Sequence, residues 1–259
     1  MKPCFLLFPL FAIVLVAAPA APAGPVKLVG VEVKTALPEE ADEVVFGQHP
    51  EDGTEAKATF LILPGEGESI VEIKEKDCEV GEVVDKESGQ PVKLKVEFGS
   101  FPRVAKDGSA AAHSLEYPLP EDPGSGRIKV SGVVHVLVSK GVKTEKTGET
   151  TLVEAAKVKA GDLNLEITDL KTEDGKTNFG LKSSKPMTAI KEIRFMKPDG
   201  TAIESRRHGS SRMRMLGTFT ETWNLALDAE VTAVQIEFDL YENPTEKEIP
   251  FDFVLPSAM

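Results

Sequence analysis

Four of the seven arginines in this 259-residue chain lie within thirteen residues, in the stretch "IESRRHGSSRMRM" from Ile203 to Met215. The chain as a whole is acidic, with a formal net charge of -12. A guanidinium offers parallel N–H donors to a carboxylate, sulfate or phosphate, so Arg206, Arg207, Arg212 and Arg214, with His208 among them, form the candidate anion-binding group. The competing use is internal: the same arginines can pair with the acidic body, each exposed pair contributing about 0–1 kcal/mol.

The remaining residues with chemical potential do not converge. His135 sits between Val134 and Val136 and reads as a half-buried strand histidine. His49 and His113 lie in turn-like surroundings without His, Cys or Asp at ligand spacing, so no metal and no cofactor is expected. "HGSSR" lacks the Gly-x-Ser-x-Gly turn that exposes a nucleophilic serine. Cys78 stands among acids in "EKDCEVGE", which disfavour the thiolate, and reads as a small packed residue. Acid pairs such as Glu39 and Glu40, or Asp42 and Glu43, read as solvated charge. No catalytic constellation emerges, and the chain reads as a non-enzyme.

These residues must be positioned by strands. Short runs alternate apolar and polar residues between Gly, Pro, Asn and Asp. Val92, Leu94, Val96 and Phe98 alternate with Lys93, Lys95 and Glu97, and Ile128, Val130, Val134, Val136 and Val138 line one face of "RIKVSGVVHVLV". Val234, Ile236, Phe238 and Leu240 oppose Gln235, Glu237 and Asp239, and Ile249, Phe251, Phe253 and Leu255 close the chain. Asp-Gly pairs at Asp52, Asp107, Asp174 and Asp199 suit tight turns, since both residues tolerate positive φ. Calcium loops would need further oxygen ligands at fixed offsets, which none of the four supplies. No segment sustains a helical period.

Residues 1–23 have the layout of a secretory signal peptide: Lys2, an apolar run from Phe5 to Ala18, and Ala21 and Ala23 before Gly24, with Ala20 as the alternative cleavage position. The run is shorter than the ~20 residues that span a bilayer, so no stable membrane insertion is expected after cleavage. Cys78 is then the only cysteine, and Pro244 spoils the one apparent sequon at Asn243. These features favour an exported, periplasmic or secreted protein of bacterial type. The acidic surface disfavours nucleic acid.

"FPRVAKDGSA" from Phe101 resembles "FMKPDGTAI" from Phe195, each followed by an aromatic strand and then a valine-rich strand and a "TEK" turn, at Thr144 and Thr245. This suggests two related units, 24–160 and 161–259, with the arginine stretch as about fourteen extra residues in the second copy. Strand parity puts Met213, Met215, Phe219, Trp223, Leu225 and Leu227 on one face. Arg212, Arg214, Thr218, Thr220 and Thr222 take the other, on a hairpin turning at His208 to Ser211. Trp223 is expected to be buried.

The C-terminal half, with "RFMKPDGTAI", the charged hairpin and "VQIEFDLYENPTEKEIPFDFVL", resembles the immunoglobulin-like sandwich repeats of uncharacterised exported bacterial proteins of planctomycete-like kind. The resemblance implies a fold of two tandem antiparallel β-sandwich domains and no activity. The expected function is non-enzymatic binding or scaffolding of a protein or an anionic glycan through sandwich surfaces. A carbohydrate-binding or carbohydrate-processing accessory protein is the alternative, favoured if Trp223 or Tyr117 is exposed beside a groove.

Overall fold

A computed structural model describes residues 25–35, 54–119, 126–215 and 217–257. The proposed signal peptide, His49, Asp52 and the acid pairs at 39–43 lie outside them. In chain order the strands are β1 (Val26–Thr35), β2 (Thr54–Ile62), β3 (Ser69–Ile73), β4 (Glu79–Asp85), β5 (Glu97–Phe98), β6 (Arg103–Val104), β7 (Ala111–Pro118) and β8 (Arg127–Ser139). They continue as β9 (Gly141–Lys146), β10 (Thr150–Thr151), β11 (Lys157–Ala160), β12 (Leu163–Glu173), β13 (Lys176–Ser183), β14 (Ile190–Met196) and β15 (Ala202–Ile203). The last four are β16 (Ser205–Met215), β17 (Thr218–Leu227), β18 (Ala233–Glu242) and β19 (Thr245–Pro256). All pair antiparallel, and the only helical element among the described residues is one 3-10 turn at Glu75–Asp77. No helix among them is long and apolar enough to cross a membrane.

Two separate apolar cores organise these strands. The first lies between a sheet ordered β1-β2-β7-β5 and a sheet ordered β19-β8-β3, with β6 added to β7 and β4 to β8. Alternation decides which side chains enter it: Ile128, Val130, Val134, Val136 and Val138 of β8 are all buried, as are Ala56, Ala58, Phe60 and Ile62 of β2. Gly132 interrupts the β8 series for a steric reason. A Cβ there would lie 2.3 Å from the Glu79 carbonyl and 2.5 Å from the Phe251 ring, so glycine lets that ring pack against the strand. In the expected strand at 92–98 only Glu97–Phe98 join a ladder, yet Val92, Leu94, Val96 and Phe98 all still pack on the core.

The second core lies between a sheet ordered β11-β12-β13-β17-β16 and a sheet ordered β10-β18-β14-β15, to which β9 adds beside β18. Phe179 of β13 meets Phe195 of β14 edge-on, with centroids 5.7 Å apart. Every residue of this core falls between Leu152 and Leu240, inside the stretch joining β8 to β19.

The closing strand therefore departs from the expected arrangement. The sequence places residues 249–255 in the C-terminal unit, but β19 pairs with β8 along its whole length, from Thr245 opposite Val138 to Pro256 opposite Arg127. Ile249, Phe251, Phe253 and Leu255 belong to the first core, where Phe251 stacks on Phe60 at 5.9 Å and Phe253 meets it tilted at 5.3 Å. Thr144 and Thr245, read as turns, lie within β9 and β19.

The Asp-Gly turns form as read wherever they are described. Asp174 and Gly175 both take positive φ, 53° and 73°, in the two-residue reversal between β12 and β13. Asp107 and Asp199 accept the amide two residues on, from Ser109 at 3.0 Å and Thr201 at 2.9 Å.

Candidate recognition surface

The arginine stretch is strand β16 itself. It pairs with β17 and forms the edge of its sheet. The expected turn at His208 to Ser211 is replaced by a register shift between Arg207 and Gly209, and the strand then runs on to Met215. Reversal occurs between Met215 and Thr218, where Gly217 has a φ of 81°. A Gly-Ser-Ser run has the composition of a turn, but the left-handed backbone falls at the later glycine.

This relocation reverses the faces. Because Met215 opposes Thr218, odd positions of β17 meet even positions of β16 from Gly209 to Met215: Arg214 opposes Phe219 and Arg212 opposes Glu221, and across the register shift Arg207 opposes Leu225. Arg207, Arg212 and Arg214 thus share a face with Phe219, Glu221 and Trp223, while Arg206, opposite Ala226, lies on the other face with Met213, Met215, Thr218 and Thr220. The expectation that the methionines accompany Trp223 is overturned by register. Met213 and Met215 are 56% and 61% exposed.

The arginine face is built in layers. Trp223 is buried, as expected, and the Arg207 guanidinium lies 4.4 Å from its ring centroid. Arg212 and Arg214 stand 6.0 Å and 5.9 Å from the Phe219 ring. Such contacts contribute about 0.5–1 kcal/mol each at exposed sites. Between the two rings lies Glu221, only 5% exposed. Its Oε1 accepts from Trp223 Nε1 at 3.1 Å and from Arg212 Nη2 at 3.2 Å, and its Oε2 accepts from the Met187 amide at 2.9 Å. A buried carboxylate with three donors, one of them cationic, is a satisfied one. Sequence reading missed Glu221, although its parity with Trp223, Leu225 and Leu227 marked it as an acid on the core side of β17.

The internal use of the arginines therefore accounts for Arg212. Arg206, Arg207 and Arg214 form no ion pair among the described residues, and all four side chains, with His208, are exposed. Arg206 adds to the field of Lys176, whose hydrogen bond and charge hold the Asp228 carboxyl below its usual range. Stacking occupies the π-face of a guanidinium and leaves its in-plane N–H donors for another acceptor. The ribbon also projects. β13, the other neighbour of β17, ends with Ser183 opposite Glu221, so Thr218–Thr220 have only β16 beside them among the described residues.

Other clusters are self-contained. A cavity of about 550 Å³ is lined by Lys143, Lys146, Lys157 and Lys159, but three of these pair with Glu145, Glu237 and Glu166. Arg194 chelates Asp239 at 2.6 and 2.9 Å and reaches Glu237; the Asp239 contact raises the Arg194 pKa and lowers that of Asp239, and Glu237 is lowered first by Lys146 and then by Arg194. His113 is not in a turn but in β7, 4% exposed, with its ring 5.0 Å from Phe98 and 5.9 Å from Phe60. Its inward parity follows that of Leu115 and Tyr117. Neither ring nitrogen has a partner among the described residues, and burial lowers its pKa to about 4. His135 is half-buried on the outer face of β8, opposite Glu248. The Cys78 thiol donates to the Lys74 carbonyl at 3.4 Å, and burial, more than the neighbouring Asp77 and Glu75, pushes its pKa up. No group of three or more His, Cys, Asp or Glu among the described residues could hold a metal.

The structure defines an all-β protein of several antiparallel sheets, with a basic ribbon at one sheet edge of an acidic chain. No family model matches the chain, nor does any curated protein or solved structure.

Proposed function

We propose that this is an exported, non-catalytic binding or scaffolding protein, that its two cores belong to immunoglobulin-like sandwiches, and that its recognition element is the β16–β17 ribbon, which takes an anionic partner. One observation carries this reading. Of the four arginines on an exposed edge strand, only Arg212 forms an ion pair among the described residues, and Arg207 and Arg214 are held over aromatic rings on exposed side chains. The stacking preorganises the guanidiniums, so less side-chain entropy is lost when an anion binds. Signal-peptide composition supports export, and the absence of any converging nucleophile and base in the sequence supports a binding role. The carbohydrate alternative called for an aromatic platform at Trp223 or Tyr117, and both are buried.

The test is calorimetric titration with sulfated glycans, carboxylated glycans and acidic peptides, at low and physiological salt, for the wild type and for Arg207→Gln/Arg214→Gln. Each charge-assisted hydrogen bond contributes about 1.5–3 kcal/mol, so the double variant should bind the preferred anion at least about tenfold more weakly, while Arg212 and Glu221 keep the fold. Affinity should fall as salt rises. An anion bound equally by wild type and variant would move the site elsewhere.

A further inference from the structure

We infer that β16 takes an extended acidic segment of a partner polypeptide as an added strand, extending its five-stranded sheet by one. This rests on the reading that the ribbon is the binding surface, and it names the partner's chemistry and its mode of attachment. An edge strand presents one row of backbone N–H and C=O groups without a ladder partner, and strand addition is the interaction that uses them. β16 spans eleven residues, contains no proline, and after its single irregularity at His208 runs from Gly209 to Met215 in continuous register. Those seven residues present about 23 Å of edge.

The two faces of the ribbon state what the added strand should carry. Its side chains would alternate between the face of Arg207, Arg212 and Arg214 and the face of Met213 and Met215. Cross-strand pairs then favour Asp or Glu at every second position and apolar residues between them. A sulfated glycan could use the guanidiniums, but neither the backbone row nor the methionine face. A polypeptide uses all three.

Charge excludes the simplest occupant, a second copy of β16. Antiparallel self-pairing would lay four arginines against four, and "SRRHGSSRMRM" contains no acid to offset them. The opposite edge of the same sheet, β11, reads "KVKA" and is also basic. β19 does carry Glu246, Glu248 and Asp252, but Pro250 interrupts its donors and its apolar residues are committed to the first core. None of these described edges supplies the acidic strand, and the proposal assigns it to a foreign polypeptide.

The experiment uses the full chain and a panel of capped nine-residue peptides with Glu at alternate positions and Val, Leu, Thr or Tyr between. Binding is followed by calorimetry and by amide hydrogen exchange of residues 205–215. The best binder is then remade in two forms, N-methylated on alternate amides in one phase or the other. Strand addition requires that peptide binding slow exchange at outward amides of β16, that one N-methylated phase lose at least tenfold in affinity while the other binds like the parent, and that Arg207→Gln/Arg214→Gln weaken binding at least tenfold. If no panel member slows exchange in β16, or both N-methylated forms bind like the parent, the strand mode is wrong, whatever the glycans do. Glycan binding that Arg207→Gln/Arg214→Gln removes would then leave the anionic reading of the ribbon standing alone. If the two arginines affect no ligand at all, both proposals fall. Concentration-dependent self-association of the protein, with protection of β16 and no effect of peptide, would assign the edge to a second copy and overturn the inference.

Discussion

Glu221 is the residue on which the arginine face depends. Its two oxygens accept from the Met187 amide, the Trp223 indole and Arg212, so removing the carboxylate leaves two buried neutral donors and a partly exposed cation without an acceptor. An unsatisfied buried donor costs about 1–3 kcal/mol, and Glu221→Ala should lower unfolding free energy by about 2–4 kcal/mol, measured as a reduced urea midpoint at unchanged slope. Glu221→Gln, which keeps one acceptor, should lose less. His113 offers a second test at this scale. Its nitrogens have no partner among the described residues and its ring is caged by Phe60 and Phe98, so the fold binds the neutral form, with the Glu116 charge opposing burial and Lys57 reinforcing it. Because its folded pKa lies near 4, below the ordinary 6.5, the unfolded chain binds the proton first. Its contribution is full above pH 6.5 and is lost as pH falls towards 4, by about 3 kcal/mol at the lower end. His113→Leu, close in volume and needing no partner, should flatten this part of the stability profile. A wild-type-minus-variant difference that stays constant between pH 7 and pH 4 would contradict the burial argument.

At the scale of the element, the ribbon's orientation follows from where its reversal falls. Register places Met213 and Met215 on the solvent side, whereas Met187 is fully buried in the second core. Thioether oxidation follows exposure, so mild peroxide should convert Met213 and Met215 to sulfoxides well before Met187, as read by peptide mapping. Protection of the two ribbon methionines would restore the arrangement in which they pack beside Trp223. The same geometry shows why the candidate site was only half legible. Composition alone marked Arg206 to Arg214 as unusual, and parity correctly placed Trp223 inward. Which side of the ribbon Arg212 and Arg214 occupy depended on the residue count of the reversal, and moving that reversal to Met215–Thr218 put them on the opposite face. Glu221 then became their partner.

For the whole molecule, the path of β19 matters most. Ile249, Phe251, Phe253 and Leu255 are buried against β8 and β2, and Tyr117 Oη donates to the Pro256 carbonyl at 2.9 Å. At about 1.5–3 kcal/mol for each large apolar side chain, this strand contributes on the order of 6–12 kcal/mol, comparable to the whole stability of a domain. Deleting residues 245–259 should therefore unfold the first core and leave the second, which is composed entirely of residues 152–240. The only tryptophan, Trp223, lies in the second core, so its emission should remain that of a buried indole in the truncated chain while far-ultraviolet circular dichroism loses about half its strand signal. A red-shifted Trp223 would show instead that the two cores fold as one unit.

Alternation of period two in the sequence determined that the described chain is built of strands and which side chains of strands such as β8 and β18 turn inward. It also marked the reversals at Asp107, Asp174 and Asp199, because Asp-Gly carries its own backbone preference. Tertiary structure alone decided which strands meet. β19 could have closed either core, since an apolar face is complementary to any other apolar face. It pairs with β8, where Gly132 receives the Phe251 ring. His113 became a caged, unpartnered imidazole because Phe60 and Phe98 reach it from other strands. Arg207, Arg212 and Arg214 gained Trp223, Phe219 and Glu221 as neighbours through a register that no local pattern contains. Period two relates residues within one strand; pairing across strands depends on loop length and on shape at a distance, and these exist only once the chain has folded.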